Sequence, residues 1–176
     1  MTLYLIESSL KEVVSNKEEL EQKVTALQGQ LKQNSAELIE VQVSKDFARS
    51  FFIIEGTDQS TAVNVLKNEG IAAELVKDVR LVGKELDDVK SGNDVINYLV
   101  EWNLPEDLTM DQYLARKKKN SVHYEEVPEV AFSRTYVCED MSKCLCFYDA
   151  PDEAAVKRAR EAVKTPIDSI TEIQSN

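Results

Sequence analysis

Leu3-Tyr4-Leu5-Ile6-Glu7-Ser8-Ser9-Leu10 returns as Asn97-Tyr98-Leu99-Val100-Glu101-Trp102-Asn103-Leu104, and the same offset carries Val43-Ser44-Lys45-Asp46 onto Val137-Cys138-Glu139-Asp140. Two anchors at one offset mark a duplicated unit, so the fold is decided by reading one copy and checking it against the other. In the first copy, Leu3–Ile6 is a short apolar run. Ser15-Asn16-Lys17-Glu18 has capping-box spacing and opens a helix striped by Leu20, Val24, Leu27 and Leu31. Leu38–Val43 and Ser50–Ile54 read as a hairpin, Asp58 caps a second helix through Ala62, Val65 and Leu66, Gly70 follows its end, and Val79–Val82 closes the unit.

The second copy follows the same plan. Asn97–Glu101 is a strand ended by Pro105, and Thr109-Met110-Asp111-Gln112 is a capping box opening a helix through Tyr113 and Leu114. Ala131–Val137 and Cys144–Tyr148 form the hairpin. Asp152 starts a helix striped by Val156, Ala159 and Val163, and Ile170–Ile173 is the last strand. Each unit is therefore βαββαβ, which with right-handed crossovers predicts an antiparallel sheet of order 4-1-3-2 with helices on one face. The strands are apolar on both faces: Cys144, Cys146 and Tyr148 on one, Leu145 and Phe147 on the other. An open apolar sheet face is what soluble proteins avoid. The expectation is thus an α+β chain of two ferredoxin-like units packed sheet to sheet, an intramolecular pseudo-dimer of dimeric α+β barrel type. The expected boundaries are 1–82 and 95–176, joined by a polar linker over 83–94 that contains Gly83, Ser91, Gly92 and Asn93.

Composition narrows the function classes. A chain of 176 residues, 43% apolar and 30% charged, is a folded protein with material for two small cores. Its 32 acidic against 21 basic residues give a net charge of −11, which repels phosphate backbones and anionic membranes, so neither nucleic acid nor membrane is an expected partner. The start Met1-Thr2-Leu3-Tyr4 has no basic n-region and no apolar run is long enough to span a bilayer, so a cytoplasmic location is expected. Three cysteines confined to the second unit suit reduced thiols rather than a disulfide framework.

The second unit resembles a small ferredoxin-like family named for a nickel-binding member. The residues that carry the likeness are Tyr98-Leu99-Val100-Glu101, Arg134-Thr135-Tyr136-Val137, Cys144-Leu145-Cys146-Phe147-Tyr148, Asp149-Ala150-Pro151-Asp152-Glu153-Ala154-Ala155-Val156 and Pro166–Ile173. The likeness is clear over 97–173 and degraded over 3–82, where Glu55-Gly56-Thr57-Asp58 replaces the Ala-Pro turn. It implies the ferredoxin-like fold and a sheet-to-sheet pairing that a tandem chain would imitate internally. It also implies histidine ligands just after the first strand and in the last helix. Here those places hold Trp102-Asn103, Ser8-Ser9 and Ala159–Thr165, without histidine, so the family's route to metal ligation is expected to be lost.

Three sets of residues stand out as candidate chemistry. Glu7 and Glu101 end the two first strands at matching places and are candidates for a shared carboxylate site, against two separate strand-end acids with local cations. Trp102, Arg134 and Tyr136 form a set suited to an anionic or aromatic ligand or a partner protein, against ordinary core packing. Cys144 and Cys146 share a strand face that an antiparallel neighbour brings near Glu101. With His123 they are candidate soft ligands for nickel, zinc or copper, against buried inert thiols and a surface histidine. Arg116-Lys117-Lys118-Lys119 reads as charge complementing a helix end, since a phosphate site would need more positive charge than this acidic background supplies. The long helix Asn16–Asn34 is a docking face or a solvated surface. Phosphate-loop, serine-hydrolase and zinc-protease motifs are absent.

These readings favour a non-enzymatic binding or regulatory protein, using the inter-unit surface or the second unit to hold a small ligand or protein partner. It is expected to be a monomer with an internal pseudo-twofold and to need no cofactor. The alternatives are a thiol and carboxylate metal-binding protein holding a divalent transition metal, or a cofactor-light barrel enzyme with substrate between the sheets.

Overall fold

The computed structural model describes residues 1–92 and 94–174, so Asn93 of the expected linker and the last two residues lie outside the described residues. The chain divides into two compact units, 1–79 and 80–176.

The first unit begins with β1 (Thr2–Ser8), which enters α1 (Lys17–Gln33). The cap of α1 sits one residue later than the capping-box spacing suggests. Asn16 Oδ1 accepts from Glu19 N at 2.8 Å and the Glu19 carboxylate reaches back to Ser15 N at 3.1 Å, so Asn16 and Glu19 do the work assigned to Ser15 and Glu18. The hairpin β2 (Glu37–Val43) and β3 (Ser50–Gly56) follows, then α2 (Gln59–Asn68) capped by Asp58, then β4 (Leu75–Val82), four residues longer at its start than read from the sequence. Strand β1 is central, antiparallel to β3 and β4, and β2 lies beyond β3, which is the order 4-1-3-2. Ile6, Phe52 and Ile54 face the helices and meet Leu20, Leu27, Leu31, Ala62, Val65 and Leu66 in one apolar core.

The second unit repeats this with β5 (Tyr98–Asn103), α4 (Met110–Asn120), β6 (Ala131–Cys138), β7 (Lys143–Asp149), α5 (Glu153–Ala162) and β8 (Ser169–Glu172). Here the predicted capping box holds: Thr109 accepts from Gln112 N and the Gln112 side chain accepts from Thr109 N. β5 pairs with β7 and β8, and β7 with β6, again 4-1-3-2. Two elements went unread in the sequence. A short helix, α3 (Leu86–Lys90), lies in the expected linker, where Leu86 and Val89 share a face and Val89 is buried. A 3-10 turn over Ser121–Glu126 extends α4.

Candidate functional site

In the second unit, pleat and register decide which side chains meet. Val100 pairs with Cys146 and Trp102 with Cys144 across β5–β7, while Thr135 and Val137 pair with the same two cysteines across β6–β7. Cross-strand partners share a face, so Val100, Trp102, Thr135, Val137, Cys144, Cys146 and Tyr148 all point toward α4 and α5. Leu99, Glu101, Arg134, Tyr136, Leu145 and Phe147 point the other way. Sequence reasoning grouped Trp102 with Arg134 and Tyr136 and brought Glu101 toward the thiols, and strand alternation overturns both groupings. Glu101 is opposite Leu145, the residue between the cysteines, and its side chain leaves by the other face.

On that other face Glu101 is 5% exposed and accepts from Lys143 Nζ at 2.8 Å. The guanidinium of Arg134 donates to Ser133 Oγ at 2.7 Å, lies 3.4 Å from Asp94 Oδ2 and sits 5.3 Å over the ring of Phe147, which Tyr136 also packs against. Glu7, in the first unit, pairs with Arg49 at 2.8 Å. Each strand-end carboxylate thus has its own cation, Lys143 or Arg49. His123 is surface-exposed in the 3-10 turn with Nδ1 2.6 Å from Glu126 Oε2. Cys138 faces away from Cys144 and Cys146, being one residue past Val137 on β6. Among the described residues, no three of histidine, cysteine, aspartate and glutamate gather as a metal site.

The helix-facing side holds a group that sequence reasoning missed. Arg160 on α5 is 2% exposed and fills the position one turn after Val156. Its Nη1 donates to Tyr148 Oη at 3.0 Å and its Nη2 to the Pro166 carbonyl at 2.6 Å, whereas its Nε finds no acceptor. Tyr148 is in turn 2.7 Å from Tyr124 Oη. The signal was present in the sequence: Arg160 stands four residues after Val156, squarely on the apolar stripe where a cation has no business without a partner.

Above Arg160 opens a cleft lined by Trp102, Tyr113, Arg116, Lys117, Cys146 and Thr165. Its volume is ≈ 20 Å³ for a water-sized occupant, room for about one water, within ≈ 280 Å³ when the solvent-open part is counted. Arg116 stacks 5.3 Å from the indole of Trp102 and donates to the Lys164 carbonyl at 2.6 Å, and Lys117 Nζ lies 4.2 Å over Phe132. Both are cation–π contacts that hold the cations without cancelling their charge.

The electrostatics of this floor are unequal. The hydrogen bond from Cys144 holds the Cys146 thiol well below the ordinary thiol value; Arg160, Lys117 and the Thr135 hydroxyl, 3.3 Å from Sγ, act in the same sense against the effect of burial. Cys144 is pushed up by that same hydrogen bond and by burial. Burial raises Tyr113 and Tyr124 and pushes Tyr148 up to about 12, so these phenols stay neutral at physiological pH. Burial alone works against the Arg160 cation, but its neighbours Cys146 and Tyr148 keep it charged. The thiol that ionises first therefore sits beside the buried Arg160 cation.

Comparison with known proteins follows the same division. Residues 98–173 match the model of a family described as nickel responsive protein SCO4226-like, in agreement with the resemblance read from the sequence. The solved structure of SCO4226 from Streptomyces coelicolor A3(2) is similar over 43% of this chain and 93% of its own, at 18% identity and a TM-score of 0.38. Two others are similar over 99% of this chain: a putative chlorite dismutase, TA0507, at 12% identity, 95% of its own length and a TM-score of 0.59, and a putative monooxygenase from Lactobacillus acidophilus NCFM at 10% identity, 94% and 0.51. These last two share the fold of the chain, α+β with duplicated ferredoxin-like units. Among curated proteins none matches. No described helix is long and apolar enough to cross a membrane. The residues present do not fit a divalent nickel centre of the family kind. The places after β1 and β5 and the end of α5 carry no histidine, and the two thiols on one face make only a two-donor set.

Proposed function

We propose that this chain is a non-enzymatic binding or regulatory protein whose second unit holds a small ligand in the cleft above Arg160, with the first unit as scaffold. One observation carries the reading. At the same place in the fold, the first unit packs Phe52, Ile54 and Leu66 into hydrocarbon, while the second sets Cys146, Tyr148 and Arg160 beside an open cleft. A polar group kept in a core at a stability cost, next to a cavity, is the ordinary signature of a binding site. Amide NMR of the full chain with a panel of small charged and neutral molecules tests it. Saturable shifts confined to Trp102, Tyr113, Lys117 and Thr165 are expected, and a panel without any saturable member removes the reading.

A metal-related role is the second reading, favoured by the description of the matching family and by the shared face of Cys144 and Cys146. Calorimetric titration with nickel, zinc and cuprous ions separates it from the first. One equivalent bound tightly, and lost in Cys146→Ser, would put a metal in place of the small ligand.

A further inference from the structure

We infer that the cleft is a receptor for the anionic group of a small molecule, a carboxylate or a phosphate- or sulfate-type oxyanion, with Arg160 as its buried counter-charge and Lys117 and Arg116 at its mouth. This names the ligand class of the binding reading above and rests on it.

Charge balance is the first argument. The chain carries 32 acidic and 21 basic residues, so a cation has many carboxylates to choose from. Yet three cations, Arg116, Lys117 and Arg160, line one cleft. None of the three is ion-paired to a carboxylate among the described residues: their partners are two carbonyls, a phenol and aromatic faces. Like charges gather against their mutual repulsion when something of opposite charge is meant to lie between them.

Burial is the second. A guanidinium removed from water with no carboxylate beside it is among the costlier features a core can hold. The two hydrogen bonds of Arg160 go to neutral oxygens, which fix its plane without neutralising it, and Nε–H is unspent. An oxyanion accepts from a guanidinium in the fork geometry that no single phenol or carbonyl can match. The neighbouring phenols remain neutral, so among the described residues lining the cleft the internal competitor for the role of anion is the Cys146 thiolate. Space is the third: the cleft's ≈ 20 Å³ of water-accessible volume holds about one water, and its solvent-open part, ≈ 280 Å³ in all, leaves room at the mouth for a small anionic group beside the Trp102 indole.

Trp102 is the single tryptophan of the chain, and it stacks with Arg116 at the cleft mouth, so its fluorescence reports the site directly. The full chain is titrated at constant ionic strength and neutral pH with inorganic phosphate, sulfate, acetate and benzoate, and with acetamide and glycerol as neutral counterparts. A saturable change with at least one anion and none with the neutral molecules is expected, weakened about tenfold in Lys117→Ala and further in Arg160→Lys. Saturation by phosphate and sulfate alone supports a phosphate- or sulfate-bearing ligand, and saturation by acetate or benzoate supports an organic acid. If neutral molecules saturate as well as anions, the anion inference falls and the binding reading stands. If nothing saturates, both fall. An anion response undiminished in Lys117→Ala and Arg116→Ala, both rim residues whose loss leaves the core intact, marks general screening and also overturns the inference.

Discussion

The two units share a topology and differ most in what their second helix packs against the sheet. Counted from the cap of each unit's second long helix, Asp58 on Asp152, the alignment sets Phe52 against Cys146, Ile54 against Tyr148 and Leu66 against Arg160. On the first long helix, counted from its cap Asn16 against Thr109, Lys23 matches Arg116. Both reach a carbonyl at the end of the unit's second helix, Lys23 that of Glu69 and Arg116 that of Lys164. In the first unit the Glu69 carboxylate also takes the charge, 3.5 Å away. In the second, the residue aligned with Glu69 is Val163, and no acid replaces it. One duplicated fold thus keeps a dry, balanced version of the position and an unbalanced, polar one, and the difference teaches that the polarity of the second is not demanded by the fold.

The largest expected effect comes from forcing the first unit to resemble the second. Leu66→Arg places a guanidinium in a core with Phe52 and Ile54, where the second unit has Cys146 and Tyr148, and should cost about 3–5 kcal/mol in urea unfolding. The converse change is far milder. Arg160→Leu gives up two hydrogen bonds and a buried charge for hydrocarbon, so a cost no greater than about 2 kcal/mol is expected, together with complete loss of the anion-dependent Trp102 signal. A large loss for both would show that Arg160 is structural. A small loss for both would show that the first unit is more plastic than its packing suggests.

Ionisation separates the units next. Thiolate absorbance of the folded chain should show one cysteine titrating below the ordinary thiol range and the others above it, since burial also raises Cys138. Cys146→Ser should remove the low transition and Cys144→Ser should not. The depressed thiol contributes stability that is present above the unfolded thiol value and lost as pH falls through its folded value. Tyr148 acts in the opposite sense. Its phenol is raised from 10.0 to about 12, so its contribution is full below pH 10 and lost as pH rises from about 10 to about 12. Tyr148→Phe should flatten stability across that alkaline window, measured by urea midpoint against pH. Because the Cys146 thiolate competes for Arg160, anion affinity should also fall as that thiol ionises, and Cys146→Ser should abolish the fall.

Most of the architecture was legible because it rests on periodicity and capping, which are local. Both hairpins and the caps Asp58, Thr109 and Asp152 follow from residues a few positions apart, the repeat from one constant offset, and the strand order from the handedness of crossovers. The misreadings had physical causes too. Ser15–Glu18 and Asn16–Glu19 both have capping-box spacing; Asn16 is the cap in the structure, taking the Glu19 N–H, while the Glu19 carboxylate accepts from Ser15 N and Oγ. Grouping Trp102 with Arg134 and Tyr136, and Glu101 with the thiols, ignored the pleat, which turns successive residues to opposite faces, and β6 repeats the lesson by separating Tyr136 from Thr135 and Val137. The cleft was harder. Arg116 and Lys117 were seen but assigned to the helix end, because their partner Arg160 lies more than forty residues away and only the fold brings α4 over α5. Lining the two copies up residue by residue exposes it: an arginine stands where the duplicate has leucine.

The smallest effect concerns the end of the second helix in each unit. The first unit turns out of α2 at Gly70, with φ +82°, where glycine carries no steric penalty. The second turns out of α5 at the aligned Lys164, with φ 55°, a left-handed conformation that a side chain adopts at a cost of about 1 kcal/mol. Lys164 is exposed, and what the site uses is its backbone carbonyl, the acceptor of Arg116. Lys164→Gly should therefore stabilise the chain by up to about 1 kcal/mol in thermal or urea unfolding while leaving the Trp102 titration unchanged. Gly70→Lys should destabilise by a similar amount with equally little effect on binding. A shift in anion affinity with Lys164→Gly would mean instead that the rigid left-handed turn is what holds the carbonyl under Arg116, and that the strain is retained for the cleft and not merely tolerated by the fold.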